Sequence, residues 1–386
     1  MVLKRLEKAI RALFIRGMST VMGRARRGGA PAWESRPHRV LYLRYDRIGD
    51  MILSSGLIRA IATSHPGMTI DILASPRNAS VLEGDPYVGS VILFDKKKPL
   101  SYLRTLRQMR RGRYDAVLDC MVLSPSTTAL ILMLLSGARH RIGIGGRSND
   151  YIYTIPVPPL APRGHYLERA AALALPFGVD IDAFDWRPTI ALSDDELAGG
   201  EAMWRSHEEA GGRGGDRPRR MLVNITAGKP ICSWPDEKFI AALTHVRTHA
   251  PDVSMLAIGM PSEAERIAHI AREVGIPVAR TPGIRHALAL VAAADYVFTP
   301  DTSIVHAASA FRKPAVVMFP HREPEPYGLY RSPGRMVVGP DEVLASLPVE
   351  PVITALDEML DGTLDERSAQ RDREAESKAG ARVGSD

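Results

Sequence analysis

Short apolar runs of strand length alternate with segments of helical periodicity twice along this chain, over residues 39–180 and again over residues 221–361. Runs such as Arg39 to Tyr45 and Thr69 to Ala74 predict buried strands in the first stretch, and Met221 to Ile225 opens the second stretch in the same way. Alternating β and α segments of this size favour parallel strands, whose crossover helices cover both faces of a sheet. The sequence therefore predicts an α/β protein with two Rossmann-like domains.

Three further segments connect or flank these domains. Residues 1–38 are expected to form a basic amphipathic helix and a flexible linker, so that the folded body starts at Arg39. Residues 181–220 connect the domains, and the repeated glycines from Gly199 to Gly215 predict a surface loop. Residues 362–386 are charged, nearly free of large apolar side chains and expected to be disordered. Other predicted strands are Ser90 to Phe94, Asp115 to Cys120, Arg141 to Ile144, Val253 to Ile258, Tyr296 to Phe298 and Ala315 to Phe319. Other predicted helices are Met51 to Ser64, Leu100 to Arg111, Ser126 to Leu135, His165 to Leu175, Asp236 to His249, Ser262 to Val274, Arg285 to Ala294 and Ile304 to Phe311, and Val343 to Leu360 is predicted as a last helix or helix pair.

Size and cysteine content set broad limits on the class of protein. With 386 residues, of which 45% are hydrophobic, the chain is long enough for two cores and needs no covalent staples. Its two cysteines, Cys120 and Cys232, lie far apart and lack the spacing of a zinc site, so neither a disulfide framework nor a metal centre is indicated. A reducing, cytoplasmic location fits this composition.

Positive charge is concentrated at the amino terminus. Residues 1–38 carry nine Lys or Arg against two acids, a net +7, and the whole-chain value of +6 therefore leaves about −1 for the remainder. No basic platform with interleaved aromatic residues covers the body, which argues against nucleic acid as a partner. Met1 to Met22 has an amphipathic pattern, and Arg16 interrupts its apolar centre, which argues against a secretory signal or a spanning helix. The helix is expected to lie on the anionic inner surface of a membrane, or to pack on its own protein or a partner.

The stretch from Asp295 to Pro320 predicts a strand, a polar turn, a helix and a second strand. Asp301, Thr302 and Ser303 occupy the turn at the carboxyl edge of the sheet, where the free N–H groups of the following helix can hold a phosphate. His306 lies one helical turn further on, so its ring can face the same anion. Alternatively, Asp301 or Thr302 caps the helix and His306 packs against the sheet.

A second polar turn, from Asp46 to Asp50, follows the first predicted strand. Gly49 allows a close approach between strand and helix, and Asp50 stands at the helix mouth, where its carboxylate can face a cleft. The alternative role for Asp50 is that of a helix N-cap.

These two turns resemble the signatures of glycosyltransferase family 9, the lipopolysaccharide heptosyltransferases. The carboxyl-terminal signature of that family, Asp-Thr-Gly-x-x-His, cradles the sugar nucleotide and is matched here by Asp301, Thr302 and His306, with Ser303 in place of the glycine. The amino-terminal signature ends a strand with Gly-Asp before a helix, and by this resemblance Asp50 corresponds to the proposed general base. A sugar hydroxyl is a poor nucleophile and needs such a carboxylate within hydrogen-bond reach.

The resemblance covers roughly Arg39 to Leu360 and implies a GT-B fold, with two Rossmann-like domains facing a central cleft. It implies inverting, metal-independent transfer of a sugar, heptose from an ADP-heptose-like donor, onto a lipopolysaccharide core or related glycolipid. No cofactor is expected besides the sugar nucleotide, which is the donor substrate. The helix start at Ser303, with Thr302, His306 and Lys229, is expected to stabilise the departing diphosphate in place of a metal.

A third stretch, from Asn224 to Pro235, leaves the first strand of the second domain. Thr226 and the N–H groups that follow it can line a phosphate pocket. The family pattern usually places a lysine two residues before Trp-Pro, and Cys232 occupies that position here. Either Lys229 supplies the charge, or Arg47, two residues before Gly49, or another cation holds the phosphates. Lys229 is equally consistent with an ordinary exposed loop lysine.

Glu263 belongs to a Gly-x-Pro-x-Glu pattern that resembles the family's, in which the glutamate is expected on the nucleotide ribose. Its alternative role is that of a first-turn acid favoured by the helix dipole. The chain contains no Gly-x-x-x-x-Gly-Lys loop, Gly-x-Ser-x-Gly elbow or His-Glu-x-x-His pair, so a P-loop kinase, a serine hydrolase or a zinc protease is not supported. Two rival functions stay open: a sugar-nucleotide epimerase of similar two-lobed fold, and a non-catalytic adaptor that docks on membranes through its amino-terminal helix.

Overall fold

The computed structural model describes residues 17, 28–36, 38–123, 126–146, 150–160, 164–210, 217–320 and 325–364. The chain divides into two compact units, Met1–Trp186 and Arg187–Asp386. Apart from residue 17, the helix predicted for Met1 to Met22 lies outside the described residues.

The first unit is built on a six-stranded parallel sheet. Its elements are β1 (Arg39–Arg44), α1 (Ile48–Ser64), β2 (Thr69–Ala74), β3 (Val91–Leu93), α2 (Pro99–Gly112), β4 (Ala116–Asp119), α3 (Thr127–Leu135), β5 (His140–Ile144), β6 (Ile155–Val157) and α4 (Tyr166–Ala171). The strands lie side by side in the order β3-β2-β1-β4-β5-β6. Helix α1 is mostly apolar and buries ten of its residues, as expected for a helix enclosed by other elements.

The folded body begins earlier than the sequence predicts. Trp33, in the segment expected to be a flexible linker, is buried and stacks on Phe177, with ring centroids 4.8 Å apart. Its indole N–H donates to the carbonyl oxygen of Pro176 at 2.7 Å. Burial of a tryptophan with its polar group satisfied is strongly favourable, so the end of this linker belongs to the first core.

The second unit is built on a five-stranded parallel sheet. Its elements are α5 (Asp194–Ala210), β7 (Arg219–Asn224), α6 (Asp236–His249), β8 (Val253–Ile258), α7 (Ala264–Val274), α8 (Ile284–Ala293), β9 (Tyr296–Pro300), α9 (Ser303–Ala310), β10 (Ala315–Phe319), β11 (Gly334–Val338) and α10 (Glu350–Leu360). The strands lie side by side in the order β11-β10-β9-β7-β8. An aromatic group of Trp234, Phe239 and Phe298 lies in the core. Leu364 is also buried there, so the predicted disordered tail cannot start at Gly362.

The surface loop predicted from Gly199 is wrong up to Ala210, because these residues form most of α5. Gly200 faces α8 so closely that a Cβ there would lie 2.6 Å from the carbonyl oxygen of Ala289. A glycine at this position therefore serves close helix packing, not chain flexibility. The packing gain of α5 on α8 offsets the poor helix propensity of two adjacent glycines.

Candidate functional site

Each sheet has one switch point, where the chain stops adding strands on one side of the first strand and adds the next strand on the other side. In the first unit the chain builds β1, β2 and β3 outward and then returns to place β4 on the other side of β1. In the second unit it places β8 on one side of β7 and β9 on the other. Loops diverge at the carboxyl ends of the strands beside such a switch point, and the crevice that results is the usual ligand site of open α/β sheets. The loops after β1 and after β9 are therefore the structural candidates.

Asp50 lies at the switch point of the first unit as the third residue of α1. The helix begins at Ile48, three residues before the predicted start, and Arg47 is its N-cap residue, so the N-cap alternative for Asp50 is wrong. The Asp50 side chain is half-exposed in the first turn, where the helix dipole favours a carboxylate. Gly49 is the second helical residue, and Arg47 is exposed beside the same edge of the sheet.

A buried arginine, which no sequence motif identified, lies beneath the turn that carries Asp50. Arg44, the last residue of β1, is 1% exposed. Its guanidinium donates to the hydroxyl of Tyr166, to the carbonyl oxygen of Cys120 at 2.8 Å and to Oγ of Ser54 at 2.9 Å. Asp46 supplies the carboxylate of this cluster, at 3.1 Å. One cation thus joins β1, the end of β4, α1 and α4.

This cluster is coupled to the turn that carries Asp50. The Ser54 hydroxyl accepts from Arg44 and donates to the backbone carbonyl of Asp50 at 2.8 Å. Burial raises the pKa of the Tyr166 hydroxyl, the Arg44 guanidinium lowers it in part, and the Asp50 and Asp46 carboxylates add to the rise, so the pKa stands far above its ordinary value. Tyr166 therefore stays neutral, and Arg44 keeps positive charge beneath the helix mouth.

The loop between β1 and α1 is further fixed by Asn78, on the loop after β2. Its side-chain amide donates to the backbone carbonyls of Arg44 at 3.1 Å and Arg47 at 3.4 Å, while its oxygen accepts from the N–H of Ser75. Asn78 is fully buried, so these bonds satisfy polar groups that water cannot reach.

In the second unit, α9 begins at the switch point with Thr302 as its N-cap. The Thr302 hydroxyl accepts from the N–H of Ile304 at 3.2 Å, as the capping alternative predicts. Ser303 is the first helical residue and has no positive φ, so replacing the family's glycine requires no strained backbone here. Asp301 and Ser303 are half-exposed at this helix mouth.

Asn224, the last residue of β7, organises this mouth and was not predicted as a site residue. Its amide donates to the hydroxyls of Thr299 at 3.0 Å and Thr302 at 3.1 Å, and to the carbonyl oxygen of Thr226 at 3.2 Å. The side chain thereby ties the loop after β7 to the loop after β9. Arg44 and Asn224 are each the polar last residue of the first strand of their unit, and this position is the sequence signal for a residue that organises the loops at the sheet edge.

Thr226 is buried, and its hydroxyl oxygen accepts from the N–H of Met260 at 2.7 Å. A Cβ at Gly259 would lie 2.7 Å from the Thr226 methyl group, which explains the glycine after β8. The Thr226 side chain thus joins the loops after β7 and β8.

Lys229 is exposed and precedes the 3₁₀ turn Pro230–Cys232, so its ammonium group is accessible to an anion. Cys232, at the position of the family lysine, is buried with its Sγ 3.9 Å from Oδ2 of Asp301. Cys232, which departs from the family pattern, therefore contacts Asp301, which matches it. A cysteine side chain thus occupies the position at which the family pattern has a lysine.

Two further predicted donor residues are held within the second unit, Glu263 by an ion pair and His306 by burial. Glu263 accepts from Arg266 at 3.1 Å, and Arg266 also donates to Asp236 at 2.6 Å, so the Glu263 carboxylate is held at the start of α7. His306 is the fourth residue of α9 and is buried, with 5% of its surface exposed. The structure thus brings Asp301, Thr302, Ser303, His306 and Cys232 to one sheet edge of the second unit.

The described residues lack two features, a cluster of metal-ligating side chains and a membrane-spanning helix. No set of three or more His, Cys, Asp or Glu side chains converges there to form a metal site. None of the helices in the described ranges combines the length and apolarity needed to cross a bilayer.

Comparison with known proteins adds an independent result. The family model described as glycosyltransferase family 9 (heptosyltransferase) matches residues 102–343. The lipopolysaccharide core heptosyltransferase OpsX of Haemophilus influenzae is 20% identical over 305 residues, which are 76% of this chain and 82% of that protein.

Solved structures share the fold. A family 9 glycosyl transferase of Veillonella parvula superposes with a TM-score of 0.71 at 18% identity, covering 85% of this chain and 98% of that one. The E. coli heptosyltransferase WaaC with ADP-2-deoxy-2-fluoro heptose gives 0.66 at 17% identity, covering 83% and 99%. A UDP-N-acetylglucosamine 2-epimerase gives 0.50 at 13% identity, covering 87% and 91%. These likenesses show two parallel-sheet domains of the GT-B type, and the family-model match over residues 102–343 establishes that the chain belongs to glycosyltransferase family 9, the heptosyltransferase family.

Proposed function

We propose that this glycosyltransferase transfers heptose from an ADP-heptose-like donor to a glycolipid of the lipopolysaccharide core type, with inversion and without a metal. The first unit is assigned to the acceptor and the second to the sugar nucleotide. Support for the donor comes from the family match and from the structural relative WaaC, whose structure contains an ADP-linked fluoroheptose.

The proposed reaction is a single displacement. The acceptor oxygen forms a bond to the anomeric carbon of the sugar as the bond from that carbon to the diphosphate oxygen breaks. The proton of the acceptor hydroxyl passes to the Asp50 carboxylate, and ADP leaves with the bonding electrons. Arg44 acts through the Ser54 hydroxyl to hold the Asp50 turn, and is a positioning residue.

The leaving diphosphate is proposed to bind at the start of α9. The N–H groups of its first turn and the helix dipole provide a fixed positive potential. Because these groups are already oriented, they need not reorganise as negative charge builds on the leaving group. Thr302, Ser303 and His306 belong to this helix start, and the exposed Lys229 supplies a mobile cation. Glu263 is proposed to accept from the ribose, and Arg47 with the Gly49 backbone to contact acceptor phosphate.

The observation that carries the proposal is the α9 mouth, where Asn224, Thr299 and Thr302 form a preorganised hydrogen-bonded group at a switch point. Calorimetry with ADP-, UDP- and GDP-linked sugars tests it. We expect binding of the ADP-linked sugar and weaker binding of the other two. Absence of binding by all three would contradict the assignment and favour the adaptor function.

The epimerase alternative has one observation in its favour, the shared fold with a UDP-N-acetylglucosamine 2-epimerase. Incubation of the sugar nucleotide alone separates the two reactions, because an epimerase converts the sugar without an acceptor. A transferase should leave the sugar configuration unchanged and consume the donor only when acceptor is added.

We also propose a cytoplasmic location at the inner face of the membrane, with residues 1–22 contributing to attachment. The supporting observation is the basic, amphipathic sequence of this segment. Deleting Met1 to Met22 should weaken liposome binding and leave transfer to a soluble acceptor largely intact. Unchanged liposome binding would contradict this part of the proposal.

A further inference from the structure

A second basic segment lies within the body of the first unit. It is not apparent from the net charge of the chain after residue 38, which is close to zero. Residues 96–113 contain no acid and eight basic residues, which are Lys96, Lys97, Lys98, Arg104, Arg107, Arg110, Arg111 and Arg113. The segment spans the loop after β3 and the whole of α2. It carries a net +8, slightly more than residues 1–38.

Helix α2 has one buried face and one exposed face. Thr105 and Met109 are buried, and Tyr102 and Leu106 pack partly buried on the core to which Met109 belongs. The exposed positions recur three and four residues apart, as expected for one stripe of a helix. This exposed stripe consists of Leu100, Leu103, Arg104, Arg107, Gln108 and Arg111.

The two leucines of this stripe are unusually exposed. Leu100 is 79% exposed and Leu103 is 58% exposed, one helical turn apart. Exposed single leucines are common, but a pair inside a field of positive charge is the composition of a helix that lies at a lipid surface. Within the described part of the chain, Arg104, Arg107 and Arg111 form no ion pair, so their charge is available to a partner.

The position of α2 relates it to the candidate site of its own unit. Strand β3 runs parallel to β1, so the residues that follow both strands lie at the same edge of the sheet. Lys96 to Lys98 and the first turn of α2 therefore lie at the carboxyl edge, where Asp50 also stands. A surface bound there would be next to the crevice proposed for the acceptor.

We propose that residues 96–111, the α2 surface, dock the first unit on an anionic membrane. The leucines enter the headgroup boundary while the lysines and arginines bind lipid phosphates. A membrane fits better than nucleic acid because the exposed apolar groups of the stripe are leucines and not aromatic rings on which bases stack. The choice of a membrane also rests on the proposed glycolipid acceptor, which is presented at such a surface.

A dye attached at one position tests the contact directly in the full chain. Cys120 and Cys232 are both buried, so a Leu103→Cys variant can be labelled selectively with a polarity-sensitive maleimide. Its emission should shift to the blue with vesicles of phosphatidylcholine and phosphatidylglycerol, but not with phosphatidylcholine alone. A matched label in Leu197→Cys, on an exposed leucine of α5, should not shift. No shift at position 103, or a response to single-stranded RNA alone, would overturn the proposal.

Charge substitutions provide the second test. The triple variant Arg104→Gln, Arg107→Gln and Arg111→Gln should lower vesicle binding by about tenfold or more, since each basic residue near an anionic surface contributes. The control triple variant, Arg205→Gln, Arg272→Gln and Arg312→Gln, removes the same charge from exposed positions of the second unit and should bind like the unaltered chain. Equal losses in both variants would overturn the proposal. Neither assay requires donor or acceptor, so both remain interpretable if the transferase assignment fails. Sugar-nucleotide calorimetry on the same variants distinguishes failure of the membrane proposal from failure of the transferase proposal.

Discussion

Both units bury an arginine in their first strand, yet the two arginines are neutralised in different ways. Arg44 ends β1 at the carboxyl edge, with mostly neutral partners and a single carboxylate, Asp46. Arg220 is the second residue of β7, at the opposite edge of its sheet, and pairs with Glu201 and Glu208, each at 2.7 Å. Arg220 pairs with two carboxylates far from the carboxyl edge of its sheet, whereas Arg44 places a guanidinium with one carboxylate partner directly beside the Asp50 turn. A buried cation is thus informative about function only when its partners are known.

The largest expected effect concerns the carboxylate above Arg44. Asp50→Asn keeps the shape of the side chain and removes the base, so the turnover rate of transfer should fall about 10²- to 10⁴-fold. Donor affinity, measured by calorimetry, should stay unchanged, because the second unit is intact. The control Asp195→Asn alters an exposed carboxylate in the first turn of α5 and should have no effect. Near-normal transfer by the Asp50 variant would show that another group takes the proton.

The second prediction compares the two arginines directly. Arg44→Met should lower the turnover rate about tenfold to a hundredfold, because the Asp50 turn loses its support through Ser54, and Arg44→Lys should restore part of the rate. Arg220→Met should leave the turnover rate unchanged but lower the free energy of unfolding by about 2–3 kcal/mol, since it strands two carboxylates that are partly exposed. Steady-state kinetics and urea unfolding measure the two quantities. If both variants changed only stability, the proposed difference between the arginines would be wrong.

The pH dependence of stability gives this comparison a further control. Hydrogen bonding to Arg220 is the main cause that holds the pKa of Glu201 below its ordinary value of 4.5. The pair therefore stabilises the fold above about pH 4.5 and loses this contribution as pH falls below that value. Arg220→Met should flatten this acid limb of the unfolding free energy, and Arg44→Met should not.

How much of this the sequence could predict depended on the distance between interacting residues. The central strands and the turns at Asp50 and Asp301 were predicted because their signals are local in sequence. The roles of Arg44 and Asn224 were not, because Arg44 meets Tyr166 at a separation of 122 residues and Asn224 meets Thr302 at 78. Such contacts exist only after the sheet has formed.

The missed elements have equally physical causes. The edge strand β6 has three residues and contains Pro156, which removes a ladder hydrogen bond and suppresses the strand pattern. The edge strand β11 buries only Val337 of its five residues, so it lacks the apolar run that indicates a buried strand. The start of α1 was misplaced because its N-cap, Arg47, makes no side-chain capping bond. Gly199 and Gly200, within α5, indicated a loop because the close packing of Gly200 against Ala289 is not visible in the sequence.

The third prediction contrasts two buried asparagines that hold loops at the two candidate edges. Asn224→Asp removes the amide donors to Thr299 and Thr302 and adds negative charge at the α9 mouth, so donor affinity should fall about tenfold. Asn78→Asp makes the same chemical change behind Arg47 in the first unit and should leave donor affinity unchanged. Calorimetry with the ADP-linked sugar measures both. Equal losses of donor affinity in the two variants would mean that the second unit alone does not bind the donor.

The smallest expected effect concerns the thiol at the position of the family lysine. If Lys229 replaces that lysine as the phosphate cation, Lys229→Ala should weaken donor affinity about three- to fivefold, as expected for one exposed charge. Adding Cys232→Lys to this variant should recover the affinity, because the new ammonium group would start from a site 3.9 Å from the Asp301 carboxylate, which can pair with it. Cys232→Met, an uncharged control of similar length, should recover nothing. Independent, additive effects of the two substitutions in a double-mutant cycle would show that Lys229 and position 232 do not share one task, and the cation opposite the diphosphate would then have to be sought elsewhere.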